Sequence, residues 1–284
     1  MTGTAFNYRS HHDKELKKSM IRLGLAQVRG VLGDKEHNLA RALTILHEFS
    51  KRGCDYVIFP ELFLSGYYIR NHIRQLAEPL TGDSIRALCR QARELNIGVV
   101  MGFPEEDNGR FYNSAVLIER NGSITGISRK THLFAEEKEY FHQGDDCPLH
   151  TLVSGERVAI MMTFDLEFPE LPRQYALQGA DIFVVLHAHT VPYESHQELF
   201  LRVRALENQV FVAAANRVGL ENTTLFFGVS GVVSPTGEFL VKGGNDEELV
   251  TADVDVCDIQ TVRQTELMNY LGNRRADIYQ KFHE

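Results

Sequence analysis

Short apolar runs alternate along the chain with longer stretches in which apolar residues return every three or four positions. Residues 21–28 (IRLGLAQV) form one such run, a helical period covers about 35–51, and a second buried run, residues 56–59, ends in Pro60. The same unit recurs with a helix over 84–95 and an apolar run over 97–101. Two strand-like segments follow, FYNSAVLIE and ITGIS, separated by Asn121-Gly122, a dipeptide that favours a tight hairpin turn. The second half repeats the theme with a run at 158–162, a helix opened by Pro169, a run at 182–186, a helix over about 196–208 and a run at 210–215. Strands at 228–233 and 249–254 flank the turn Ser-Pro-Thr-Gly at 234–237. Alternating strands and helices predict an α/β fold. The hairpin and the consecutive late strands predict mixed rather than all-parallel sheets.

Residues 1–19 are polar and aperiodic, so the chain divides into an N-terminal extension, 1–19, and one domain over 20–284. The formal charge of −8 provides no broad positive field for nucleic acid or anionic lipid, and neither is expected as a partner. No run reaches the roughly 18 apolar residues of a membrane span, and the first twenty residues lack the apolar stretch of a secretory signal. A cytoplasmic protein is the expectation. Cys54, Cys89, Cys147 and Cys257 are scattered without a CxxC pair and read as reduced thiols.

Three places set a polar or charged residue just beyond a buried strand, where working groups of α/β folds gather. Glu61 follows VIFP; it is placed for a general base, or it is a helix-start glutamate after proline. Lys130 in SRKTHLF reads as an oxyanion-stabilising group or a solvated surface lysine, and His132 as a packed, hydrogen-bonded histidine. In MMTFDLEFPELPR, Thr163 closes a strand before a loop and a helix, the kind of elbow on which hydrolases expose a nucleophile.

FPELFLSGY at 59–67, RKTHLF at 129–134, MMTFDLEFPELPR and RALENQVFVAAANRVG at 204–219, in that order, resemble the nitrilase, or carbon–nitrogen hydrolase, superfamily. YNSAVL, FGVSGVVSPTGE and YLGNRRADIY extend the resemblance over about 21–279. It implies an α-β-β-α sandwich of two mixed sheets flanked by helices, paired into a four-layer homodimer or a larger homo-oligomer, with no metal or organic cofactor. It also implies a Glu-Lys-Cys site on a small amide-like substrate, a linear amide, nitrile or N-carbamoyl compound. By motif the base is Glu61 and the lysine Lys130, which with a backbone N–H holds the oxyanion. A second glutamate falls in EEKEYFHQGD, where Glu137 is favoured and Glu139 is the alternative.

The departure is at the elbow. The family pattern Cys-x-Asp-x-x-x-Pro-Glu keeps Asp165, Pro169 and Glu170 here, but Thr163 stands at the cysteine position and Cys147 precedes the strand. An alcohol is far less acidic than a thiol, so a carboxylate activates it poorly, and the added methyl crowds the line of attack. Three explanations remain open: a substitution that silences an amidase, a variant kept as a binding or partner-interaction module, or an enzyme with altered chemistry.

For the substrate, Glu167 beside the elbow offers no arginine clamp for a carboxylate and suits a neutral or cationic molecule, unless it faces solvent or a dimer partner. His187 and His189 in LHAHT are expected to face opposite sides of a strand end, which makes a shared metal poor geometry unless the chain turns, and the resemblance places them at the pocket mouth as substrate contacts. Asn113, Arg204, Glu207, Asn216 and Arg217 read as structural hydrogen-bonding residues, and Arg274-Arg275 as a tail that docks across a dimer or as a solvated pair.

Overall fold

A computed structural model describes residues 20–264 and 268–279. The 1–19 extension of the sequence reading lies outside the described residues.

The first half runs β1 (Met20–Gln27), α1 (Lys35–Lys51), β2 (Tyr56–Ile58), α2 (Ile73–Leu76), α3 (Asp83–Leu95), β3 (Gly98–Asp107), β4 (Arg110–Ile118) and β5 (Ile124–Arg129). The second runs β6 (Leu149–Thr151), β7 (Arg157–Met162), α4 (Glu170–Leu177), β8 (Ile182–His187), α5 (Glu194–Asn208), β9 (Phe211–Asn216), β10 (Val218–Glu221), β11 (Thr224–Phe227), β12 (Gly231–Val233), β13 (Phe239–Lys242) and β14 (Glu248–Asp255), followed by α6 (Cys257–Gln264). Two six-stranded sheets result, in the orders β14-β1-β2-β3-β4-β5 and β13-β12-β9-β8-β7-β6. In each, three central strands run parallel and the flanking strands antiparallel, so both sheets are mixed.

Period-two alternation decides which face each residue covers. Leu23 and Leu25 of β1, paired in register with Tyr56 and Ile58 of β2, point at the opposing sheet, where they meet Ile160, Val184 and Ala213. The intervening Val57 packs outward with Leu46 and Phe49 of α1 and Leu88 of α3. Phe183 and Val185 of β8 do the same toward Tyr175 of α4 and Leu201 of α5. Three apolar layers therefore separate four layers of structure, α-β-β-α. The helices end where the sequence dictates: Asp34 caps α1 by accepting the His37 N–H at 3.0 Å, and Asn96 terminates α3 in the left-handed region at φ 51°.

The predicted helices and central strands match the observed ones to within about two residues, except that β3 continues past the predicted run 97–101 to Asp107, and Gly122 adopts φ 80° in the predicted hairpin turn. The run at 228–233 is a strand only from Gly231 onward; Gly228 and Val229 both sit at positive φ and turn the chain. The period pattern did not reveal the β10–β11 hairpin, a separate two-stranded ribbon. Nor did it show that β14 crosses back to pair with β1. Among the described residues no helix is long and apolar enough to cross a membrane. In the tail, Arg275 pairs with Asp277 and Arg274 lies over the Tyr279 ring.

Candidate active site

The C-terminal ends of parallel strands β2, β7 and β8 and the chain beyond β5 meet at one edge of the sandwich. Glu61 follows β2 by three residues, Lys130 follows β5, Thr163 follows β7 and Ala188 follows β8. Residues far apart in sequence thus become neighbours, as expected where loops at strand ends converge.

The Glu61 carboxylate is fully buried and receives four donors. Lys130 Nζ and Asn113 Nδ2 each donate to Oε1 at 2.7 Å. The Thr163 hydroxyl donates to Oε2 at 2.5 Å, and the Thr163 N–H donates to the same oxygen at 3.2 Å. Thr163 Oγ1 in turn accepts the Ala188 N–H at 2.6 Å. Lys130 Nζ donates also to Glu137 Oε1 at 2.8 Å, and that oxygen accepts the Tyr67 hydroxyl at 2.7 Å. The other oxygen of Glu137 accepts the Phe134 N–H at 2.8 Å. Glu139, the alternative in the same segment, is absent from this network.

Charge explains the grouping. Burial alone would push the Lys130 ammonium down, but the Glu137 and Glu61 carboxylates hold it well above its ordinary value. Glu137 is raised, first by burial and then by the neighbouring Glu61, and is lowered in part by Lys130. Two carboxylates share one ammonium, which has three hydrogens and spends two of them on these carboxylates.

The backbone around Glu61 is held from two sides. Leu62 sits at φ 49°, a conformation that a leucine adopts only under constraint. Buried Arg217 supplies that constraint, with Nη1 donating to the carbonyls of Glu61 at 3.2 Å and Leu62 at 3.3 Å and Nη2 paired to Glu221 at 2.5 Å. On the opposite side lies Gly102 of β3, where an added Cβ would stand 2.5 Å from the Pro60 carbonyl oxygen and 2.7 Å from the Leu62 nitrogen. Only a glycine lets the strand approach this turn.

Asp165, retained from the elbow motif, ties the Thr163 turn to the Lys130 loop. Its Oδ1 accepts the N–H groups of Thr131 and His132 and contacts His132 Nδ1 at 3.0 Å, while Oδ2 accepts the Met162 N–H. His132 stacks on Phe168 at 4.0 Å, the packed role read from sequence. Arg204, also read as structural, donates to the carbonyls of Leu166 and Glu167 at the end of the elbow turn.

A cavity of about 200 Å³ opens beside this cluster, reached by Lys130, Thr163, Ala188, Glu167 and His189. His189 and His187 correct the expectation of opposite faces: residues two apart on an extended chain share a face, and the two rings stack at 5.5 Å. His189 lines the cavity; His187 is buried and does not. Burial holds His187 well below its usual range, and holds His189 down to about 4. Among the described residues no three His, Cys, Asp or Glu side chains are grouped to hold a metal ion. Cys147 lies beside Tyr175 and outside the cavity.

Asn113 and the Ala188 N–H are working neighbours that the sequence did not single out as such. Asn113 had a detectable signal, since β4 must run beside β3 above the Glu61 turn. The Ala188 N–H had none, being backbone. Tyr67, Tyr68, Phe134, Phe164 and Tyr193, which also line the cavity, are spread over 127 residues and look in sequence like ordinary core aromatics.

The model of the carbon–nitrogen hydrolase family matches residues 22–264. An (R)-stereoselective amidase from a Pseudomonas species is 35% identical, covering 90% of this chain and 92% of its own. The omega-amidase NIT2 of Bos taurus is 34% identical, covering 92% and 97%. The fold superposes with a TM-score of 0.83, at 27% identity and coverage of 92% and 96%, on a variant of the amidase from Nesterenkonia sp. AN1. That structure shows covalent addition of the acetamide moiety of fluoroacetamide at the active-site cysteine. The α-β-β-α architecture, the order of the motifs and these likenesses agree, and the chain belongs to the carbon–nitrogen hydrolase family.

Proposed function

We propose that the protein hydrolyses the C–N bond of a small linear amide and releases ammonia, with Thr163 in the attacking position, Glu61 as its base, Lys130 as oxyanion partner and Glu137 as the second carboxylate. The observation that carries this reading is the Thr163 hydroxyl, aimed at Glu61 Oε2 at 2.5 Å. As Oγ1 bonds to the amide carbon its proton passes to Glu61, and the Ala188 N–H already on Oγ1 offsets the charge that builds there. The third hydrogen of Lys130, uncommitted to Glu61 or Glu137, is available to the amide oxygen at the cavity. Collapse of the tetrahedral adduct breaks the C–N bond, the leaving nitrogen takes the proton from Glu61, and water then cleaves the ester by the same base.

The relatives support an amide substrate: two carry amidase names, and the Nesterenkonia enzyme is modified by an amide at a cysteine. A second reading, a catalytically silent protein that binds amides or a partner, is favoured by one observation. Thr163 Oγ1 is pinned between Glu61 and the Ala188 N–H, and an alcohol so held is a poor nucleophile beside a thiol.

Ammonia release from a panel of amides, nitriles and N-carbamoyl compounds separates the two, measured on the native chain, Thr163→Ala and Thr163→Cys. Turnover by the native chain that Thr163→Ala abolishes supports the proposal. Turnover confined to Thr163→Cys establishes the silent reading, and a native rate that survives in Thr163→Ala assigns attack to water. The family's pairing into a homodimer is carried forward as part of the proposal. Light scattering that found only a monomer at micromolar concentration would overturn it.

A further inference from the structure

The cavity contains one carboxylate that amide cleavage does not use. Glu167 ends the turn Thr163–Glu167 and lines the cavity with its side chain 28% exposed. Its backbone carbonyl is held by Arg204, but among the described residues no hydrogen bond reaches its carboxylate. The nearest basic nitrogen is His189 Nε2 at 3.6 Å. That imidazole is neutral at neutral pH, since burial holds it down to about 4. Of the other charged or titratable groups near Glu167, Lys130 is committed to Glu61 and Glu137, and His196 is an exposed residue of the lining. Among the described residues no arginine lines the cavity.

Much of the remaining lining is aromatic. Tyr68, Phe134, Phe164 and Tyr193 contribute rings, with Phe134 and Phe164 edge to face at 5.2 Å. A neutral acyl chain entering a cavity of about 200 Å³ would strip water from the Glu167 carboxylate without giving it a partner, which is unfavourable. An anionic chain would add like-charge repulsion. An ammonium group satisfies both surfaces, pairing with the carboxylate and meeting the negative faces of the rings.

We infer that the substrate is a small amide bearing an ammonium group, held with its cation between Glu167 and these rings while its amide lies at Thr163 and Lys130. The inference rests on the amidase reading above and names its substrate class.

The test is calorimetric titration of the full chain with matched ligands, 4-aminobutyramide against pentanamide and glycinamide against propionamide, with succinamate as the anionic control. Ammonia release is followed on the same set. The cationic amide of at least one pair is expected to bind at least tenfold more tightly than its neutral isostere, about 1.4 kcal/mol, with succinamate weakest. Glu167→Gln, which keeps the size and one hydrogen-bonding oxygen, is expected to bring the two within about twofold, and Glu167→Asp to retain the preference. Equal or tighter binding of the neutral member, binding of none of the ligands, or a preference that survives Glu167→Gln overturns the inference. Neutral amides hydrolysed as fast as cationic ones also overturn it and leave the amidase reading standing. Selective binding of cationic amides without ammonia from any sinks the amidase reading instead and leaves the recognition intact.

Discussion

Glu61→Gln tests the centre of the site, and its effect can be worked from the four donors that converge on the carboxylate. A glutamine has one acceptor oxygen, so its NH₂ must face two of these donors. Placed on the Oε1 side it would oppose the Lys130 ammonium, which cannot accept, and the Asn113 NH₂, which could accept only by flipping its amide to bring Oδ1 round. On the Oε2 side it meets the Thr163 N–H and hydroxyl; the hydroxyl can turn and accept, and only the backbone N–H loses its partner. The second orientation therefore wins. It leaves one buried donor unsatisfied, about 1–3 kcal/mol, and removes one of two carboxylates from a buried lysine that still retains Glu137. A net destabilisation of about 2–4 kcal/mol is expected in urea denaturation. Turnover should suffer more than stability, because the Thr163 hydroxyl would accept a hydrogen bond where it now gives its proton away; ammonia release should fall by about 10²–10⁴-fold. An unchanged denaturation midpoint together with unchanged ammonia release would falsify both the network and the base.

Gly102→Ala puts a methyl group inside the Pro60–Leu62 turn and should displace Glu61, lowering turnover by about 10²-fold while costing about 1–3 kcal/mol; native activity in this variant would show that the turn yields freely. Arg217→Met removes the partner of buried Glu221 and the donors to the Glu61 and Leu62 carbonyls, and about 3–5 kcal/mol of stability should go with it in a denaturant titration. The histidine stack makes stability depend on pH. His189 titrates at about 4 in the fold and near its ordinary 6.5 when unfolded, so between those values the unfolded chain binds the extra proton. Stability is then fully present above 6.5 and falls by about 3 kcal/mol as pH drops to 4, and His189→Asn should flatten that slope, as unfolding titrations at stepped pH will read.

What the sequence disclosed, and what it withheld, follows from how far each interaction reaches. Helices and central strands were legible because their apolar period is local: Leu23 and Leu25 recur every second residue on the one face of β1 that meets the opposing sheet. Glu61, Lys130 and Thr163 stood out because each lies just past a strand, a position that itself implies the sheet edge. Their mutual geometry was not legible, since Thr163 and Glu61 are 102 residues apart and meet only when two sheets pack face to face. The histidine pair shows a local rule misapplied. Side chains two residues apart on an extended chain share a face, so alternation already places His187 and His189 on one side, where their rings stack at 5.5 Å.

The supporting residues were hidden for a related reason. Arg217 looked structural, which it is; its pairing with Glu221 and its grip on the Glu61 carbonyl depend on the chain between β9 and β10 reaching the turn after β2. Asn113 looked structural as well, yet its side chain is one of the two donors on Glu61 Oε1. In this site the division between structural and chemical residues dissolves, because the base is useful only while four donors fix its two oxygens. The Thr163 hydroxyl is one of those four. Whatever the protein does with that oxygen, a group of different hydrogen-bonding capacity at position 163 must alter the base as well as the nucleophile, so Thr163→Cys exchanges both at once. Thr163→Ser, which keeps the oxygen and its two partners but removes the methyl group, isolates the steric part. A rate increase in Thr163→Ser over the native chain would locate the obstacle in the methyl group, whereas an unchanged rate would place it in the acidity of the alcohol.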